Sequence, residues 1–237
     1  MYDDLKKQVF EANLALVRHG LVVLTWGNAS AVDRTRGVVA IKPSGVPYDT
    51  LTWQEIVVVD LAGRTVDGTC RPSSDLPTHL ELYAAWPAIG GVTHTHSLHA
   101  TMFAQACQPI PCLGTTHADH FHGPVPVTRV LSASEVDAYE ANTGRVILER
   151  FAQLDPLHVP AVLVGAHGPF TWGRSATEAV YNAVALEQVA QMAMGTAQIN
   201  PQTQPLAEHI LAKHFSRKHG PQAYYGQGNG DPQGRHG

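Results

Sequence analysis

The stretch Gly90-Gly91-Val92-Thr93-His94-Thr95-His96-Ser97 reads as a buried strand that runs straight into a helix. Alternate strand side chains share a face, so His94 and His96 present two imidazoles side by side while Thr93 and Thr95 face the other way. A lone H-x-H pair suits surface or hydrogen-bonded histidines as well as it suits metal ligands. What favours a metal is the rest of the chain, which can supply further ligands, an anion cradle and an acid/base pair.

Around this strand the pattern alternates between helix and strand. Leu5, Val9, Ala12 and Leu16 mark one face of a first helix, which Asp3 or Asp4 can cap and His19-Gly20 can stop. Leu21 to Leu24 is expected as a short strand ending in the turn Thr25-Trp26-Gly27-Asn28-Ala29-Ser30. Val38 to Ile41 and Ile56 to Val59 are apolar strands, the second preceded by a capping box, Thr52 to Glu55. Asp60-Leu61-Ala62-Gly63 turns into a strand from Arg64 to Val66. A helix begins at Pro77, another runs from Ser97 to Ala106, and Ser132 with Glu135 opens a third that reaches Leu154 with a break near Gly144. Ala161 to Val164 is an apolar strand; helices from Ala176 to Ala197 and from Leu206 to Lys218 follow. Several strands are joined by short turns. That predicts an α/β fold, a single-domain three-layer α/β/α sandwich with a mixed, largely antiparallel central sheet.

The totals agree with one domain over residues 1–227 and a disordered Gly-rich tail over 228–237. The chain has 237 residues, 44% of them hydrophobic and 15% charged. A net charge of -4, with no Lys/Arg-dense face, gives no support to nucleic-acid binding. No apolar run reaches membrane-spanning length, and the N-terminus is unlike a secretory signal. Cys70, Cys107 and Cys112 form no CxxC, and their odd number argues against a disulfide framework, so a reducing cytoplasm is expected.

His167 follows an apolar strand, with Gly165 and Gly168 on either side of the Ala166-His167 pair allowing a tight turn. His94, His96 and His167 together can offer three nitrogens to a divalent ion and leave positions open. Zinc and manganese both suit imidazole plus oxygen. Asp75 stands at a loop-to-helix junction, where it can cap the helix or reach the metal. Ser73 and Ser74 beside it, the Lys42-Pro43-Ser44-Gly45 turn and Gly27-Asn28 are candidate phosphate binders.

These segments, with Gly114-Thr115-Thr116-His117-Ala118-Asp119, His167-Gly168-Pro169-Phe170 and the C-terminal Arg217-Lys218-His219-Gly220 and Tyr224-Tyr225-Gly226-Gln227, together resemble the L-ribulose-5-phosphate 4-epimerases. Those enzymes belong to the class II (metal-dependent) aldolase/adducin-head superfamily. The resemblance runs in order from Leu5 to Gln227. It implies a zinc site of Asp75, His94, His96 and His167, and a sugar-phosphate pocket of Gly27, Asn28, Lys42, Ser44, Gly45, Ser73 and Ser74. It further implies an acid/base pair, Asp119 and Tyr225, with the tyrosine reaching into a neighbouring subunit of a homotetramer. The substrate class so implied is a ketopentose 5-phosphate, epimerised at C4 by retro-aldol cleavage of C3–C4. The chain departs from the pattern at His120, where those epimerases usually carry an aromatic residue after the aspartate.

Two other readings stand beside this one. A class II aldolase of the fuculose- or rhamnulose-phosphate type would use Glu where this chain has Asp75. A non-catalytic module like an adducin head would lack the full ligand set.

Overall fold

The computed structural model describes residues 1–219 and 223–224. Helix α1 (Asp3–Arg18) buries Leu5, Val9, Ala12 and Leu16, the face their spacing predicts. Tyr2 rather than an aspartate occupies the N-cap; Asp3 and Asp4 lie in the first turn, where carboxylates complement the helix dipole. An antiparallel run follows: β1 (Asn28–Asp33), β2 (Val38–Ile41), β3 (Val57–Asp60) and β4 (Thr65–Asp67). Then come α2 (Leu76–Ala85), β5 (Gly91–His94), α3 (Leu98–Gln105), the single turn α4 (Thr115–Ala118) and α5 (Tyr139–Arg150). The hairpin β6 (Ala161–Leu163) and β7 (Pro169–Gly173) leads into α6 (Ala176–Ile199) and α7 (Glu208–His219).

The seven strands lie in the order β4-β3-β2-β1-β5-β7-β6. Every pairing between these strands is antiparallel, and the one parallel bridge among the described residues is isolated, Val127 to Leu163. Period-two alternation then sorts the side chains into two cores. Val39, Ile41, Val57 and Val59 pack with Leu82 and Tyr83 of α2 and Ile147 of α5. Val38, Ala40 and Val58 point the opposite way, against α1 and the start of α6. Helices α3 and α6 cover β6 on that second side. Both faces of the sheet are therefore buried, which is why β2 and β3 read as unbroken apolar runs.

Four local expectations needed correction. No strand forms over Leu21 to Leu24; Leu24 is exposed with a φ of 55°, and the strand starts instead at Asn28. Its polar residues are tolerated because they find partners. The Asn13 side chain of α1 accepts from Ala29 N at 2.9 Å and donates to Ala29 O at 3.0 Å, standing in for a neighbouring strand. Strand β7, which the turn-like Gly-Pro sequence conceals, opens at Pro169, paired with Leu163. The Ser132/Glu135 box does form, but it opens a short 3-10 helix, and α5 then ends at Arg150. Finally, α5 passes through Gly144 unbroken. A Cβ there would lie 2.7 Å from Glu81 Cβ on α2, so the residue permits a close helix crossing rather than a break.

Candidate active site

His94 is the last residue of β5, directly opposite Asn28 on β1 and Phe170 on β7. Opposed residues share a face, so Asn28 and His94 meet on the α2/α5 side, with the His94 ring stacked on Phe170 at 4.2 Å between centroids. His96 lies two residues beyond the strand end. Its Nε2 is 3.1 Å from that of His94. His167 enters from the β6–β7 turn, with its ring 4.8 Å from His94 and 5.1 Å from His96. The left-handed residue in that turn is Ala166, φ 60°, rather than either glycine. Gly168 matters by proximity, since its Cβ would fall 3.0 Å from Thr95 O.

The chemistry of this triad suits a divalent cation. His94 Nδ1 sits 2.9 Å from Pro169 O, which makes it the protonated nitrogen and leaves a lone pair on Nε2. Two Nε2 atoms facing each other at 3.1 Å repel unless a proton or a cation is shared, and Nδ1 of His167 is buried with no hydrogen-bond partner among the described residues. Burial, together with the neighbouring imidazoles, lowers His96 and pushes His167 down to about 4. One nitrogen from each ring lies within 4.8 Å of the others. Imidazoles converging in this way suit a divalent cation.

Asp75 occupies the N-cap position of α2, yet its side chain makes no capping bond. Its carboxylate instead takes the Asn28 amide at 2.6 Å, and Ser73 Oγ lies 3.4 Å away. Burial acts to raise its pKa, but His94, His79 and the Asn28 amide outweigh that and hold it below the usual carboxylate range. The Asn28 amide was expected to donate to a ligand; it donates instead to Asp75 and, at 3.0 Å, to Ser73.

Asp75 and the three histidines line a cavity of about 420 Å³ that also takes in Gly27, Asn28, Lys42, Ser44, Gly45, Ser73 and Ser74. The same cavity takes in a cation. Lys42 is buried without a carboxylate partner among the described residues; its Nζ donates to Val46 O at 2.7 Å and lies 4.6 Å over the Tyr48 ring. Burial pushes it down to about 8. Gly27, φ 77°, lets β1 begin hard against the His94 carbonyl, where a Cβ would sit at 2.8 Å. A wider cleft of about 510 Å³ near Arg34 holds none of these groups, and the Arg34 guanidinium is engaged by the carbonyls of Tyr83, Trp86 and Ile89.

Asp119 does not line the cavity. It follows α4, where α7 grips it: Arg217 Nε at 2.9 Å and His214 Nδ1 at 3.0 Å meet one oxygen, with Lys218 4.0 Å from the other. Its burial acts upward, but the hydrogen bonds from Arg217 and His214 and the charges of Lys218 and Arg217 hold the carboxyl below its ordinary value. His120 packs its ring against Tyr181 at 5.6 Å, and burial pushes it down to about 4, so it adds bulk rather than charge beside Asp119. Tyr225 and the segment from 228 onward lie outside the described residues. Tyr139 and Glu140, at the start of α5, line the cavity and were not singled out from sequence. The one signal for them was the nearby capping box, which announces a helix start without saying what it faces.

The family model described as the class II aldolase and adducin N-terminal domain matches residues 7–194. The chain belongs to this family. Among its relatives, an L-ribulose-5-phosphate 4-epimerase UlaF of Salmonella paratyphi B is 57% identical over 94% of this chain and 98% of the relative. Its counterpart in Salmonella typhi shows the same identity and coverage. Solved class II aldolase structures share the fold. An L-fuculose 1-phosphate aldolase superposes with a TM-score of 0.77 at 24% identity, covering 90% of this chain and 95% of that one. An l-fuculose-1-phosphate aldolase from Thermus thermophilus gives 0.66 at 21% identity, covering 85% and 99%.

Proposed function

We propose that this protein is an L-ribulose-5-phosphate 4-epimerase, interconverting L-ribulose 5-phosphate and D-xylulose 5-phosphate. One observation carries the reading: 57% identity to relatives of that name across nearly the whole of both chains, against 24% to the L-fuculose 1-phosphate aldolase. The cavity supports it chemically, with a metal-suited end and an anion-suited end in one space.

The C4 hydrogen of the ketopentose is not α to its carbonyl, so inversion by direct deprotonation is disfavoured. Cleavage is the open route. The C4 hydroxyl gives up its proton, and the C3–C4 bond breaks with its electron pair going to C3. Glycolaldehyde phosphate and the enediolate of dihydroxyacetone result; the aldehyde turns over, the bond re-forms on its other face and the oxygen regains a proton. A divalent cation, zinc in this reading, would be held by His94, His96, His167 and Asp75 and would supply Lewis-acid stabilisation of the negative charge that develops. Lys42, Ser44, Gly45, Ser73 and Ser74 bind the phosphate at the N-terminus of α2 and retain the aldehyde while it turns. Asp119 and Tyr225 handle the C4 hydroxyl proton from opposite sides, one for each epimer.

Since Asp119 stands outside the cavity of its own chain, the reading has both groups serving the cavity of a second copy, within a homotetramer. Helix α6 exposes Tyr181, Met192 and Ile199, apolar surface that such an assembly would cover. The free Cys70, Cys107 and Cys112 suit a cytoplasmic setting. The test is an NMR time course of zinc-loaded protein with L-ribulose 5-phosphate. D-xylulose 5-phosphate should accumulate to equilibrium. Release of free glycolaldehyde phosphate instead would assign an aldolase, and an unchanged spectrum would sink the proposal.

A further inference from the structure

His94 and His96 are held by different means. His94 is fixed on both sides by the ladders to β1 and β7, and its ring is tied to Pro169 O. Among the described residues, His96 has no strand neighbour. The last backbone bond before it joins Thr95 N to Pro169 O at 3.3 Å, and two residues later the chain is already in α3. Where the His96 ring lies therefore depends on where α3 begins.

That beginning is gripped by a carboxylate from a distant helix. Glu187, buried on α6, accepts from His99 N at 2.9 Å and from Ala100 N at 3.1 Å, two of the donors a helix start leaves unpaired. The same carboxylate meets His99 Nδ1 at 2.7 Å. Ser97, at the N-cap, makes no capping bond of its own. Negative charge at this end is further favoured by the helix dipole. Glu187 is a buried acid that the proposed reaction does not use, and all its partners lie within four residues of His96.

We propose that Glu187 is a positioning residue for the metal centre: by capping α3 from α6, it sets the place of the His96 imidazole relative to His94 and His167. The inference rests on the metal-site reading above. Residues that orient metal ligands from outside the coordination shell typically matter about 10–100-fold in metal affinity. Glu187→Gln keeps the shape, removes the charge and turns an amide N–H toward backbone N–H groups. Its affinity for Co²⁺, by chelator competition, should fall about tenfold or more, with an altered visible d–d spectrum of the cobalt-loaded protein. Glu178→Gln, which disturbs the first turn of α6 away from α3, serves as the control and should leave both readouts unchanged.

A folded Glu187→Gln protein with wild-type cobalt affinity and spectrum would overturn the inference, as would equal effects of the two variants. If Glu187→Gln does not fold, Glu187→Asp, which keeps the charge but draws it back from both backbone N–H groups, should show the same shift at smaller size; no shift there overturns the inference too. Wild-type protein that takes up no cobalt would bring down the metal-site reading itself, and this inference with it.

Discussion

The Asn28 amide nitrogen stands 2.6 Å from the Asp75 carboxylate, across a sheet-to-helix junction that brings residues 47 positions apart together. This bond aims Asp75 into the cavity in place of capping α2. Asn28→Ala should leave a buried carboxyl short of a donor, raising its pKa and lowering metal affinity by about 10–100-fold. Titration of the apo variant with zinc against a competing chelator measures it, and wild-type affinity would refute the role.

Lys42 offers a pH signature. Burial has pushed it down to about 8, so in the free protein its charge is lost as pH rises through 8. kcat/KM for the phosphorylated substrate should decline above that pH. In Lys42→Met that decline should vanish and KM should rise about 10–100-fold, the equivalent of one charge-assisted bond. Stability runs in the opposite sense. Between pH 8 and 10.5 the unfolded chain holds a proton that the folded chain has released, so this residue's contribution rises with pH through that window.

Arg217 holds the carboxylate of Asp119 well into its charged form. A depressed carboxyl contributes stability that is fully present above its unfolded value of 3.8 and is lost as pH falls through the folded value. Arg217→Met should raise the pKa of Asp119, move that loss to higher pH and cost about 1.5–3 kcal/mol at neutral pH. Urea unfolding at pH 4 and pH 7 checks both. The same variant should shift the acid limb of the activity profile upward if Asp119 takes the C4 hydroxyl proton.

Gly144→Ala separates propensity from packing. In an exposed helix the change would stabilise by about 1 kcal/mol. Here the new methyl would meet Glu81 Cβ at 2.7 Å, with the Thr78 carbonyl at 3.3 Å behind it. Overpacking of this kind costs about 1–3 kcal/mol, so the net sign should be destabilising by thermal unfolding. A raised Tm would show that α2 and α5 can part without cost.

Much of the frame was legible because alternation and helical spacing are local. The faces of α1, β2 and β3, and the start of α2 at its proline, followed from residue order alone. The convergence of His94, His96 and His167 followed from placing each at a strand end. What escaped was settled at long range. The start of β1 is held by Asn13 of α1, which pairs the Ala29 backbone beyond the last β2 partner, Ile41 opposite Ser30, and by His79 and Tyr83 of α2, which flank the Ser30 hydroxyl at 2.7 Å. Nothing near Ser30 in sequence announces that. The distance of Asp119 from the cavity and the presence of Tyr139 and Glu140 in it likewise depend on how helices stack, which spacing does not encode.

The place of His94 in the middle of the sheet restricts which lengths the chain can vary. One residue inserted within β5 would rotate every later side chain by half a turn and send the imidazole into the opposite helical layer. The same insertion within β1 would carry Asn28 away from it. Between Asp60 and Arg64, at the turn to the outermost strand, an extra residue would alter only a surface loop. Length is therefore free at the rim and forbidden at the centre, and a library of single-residue insertions should trace that boundary across the seven strands.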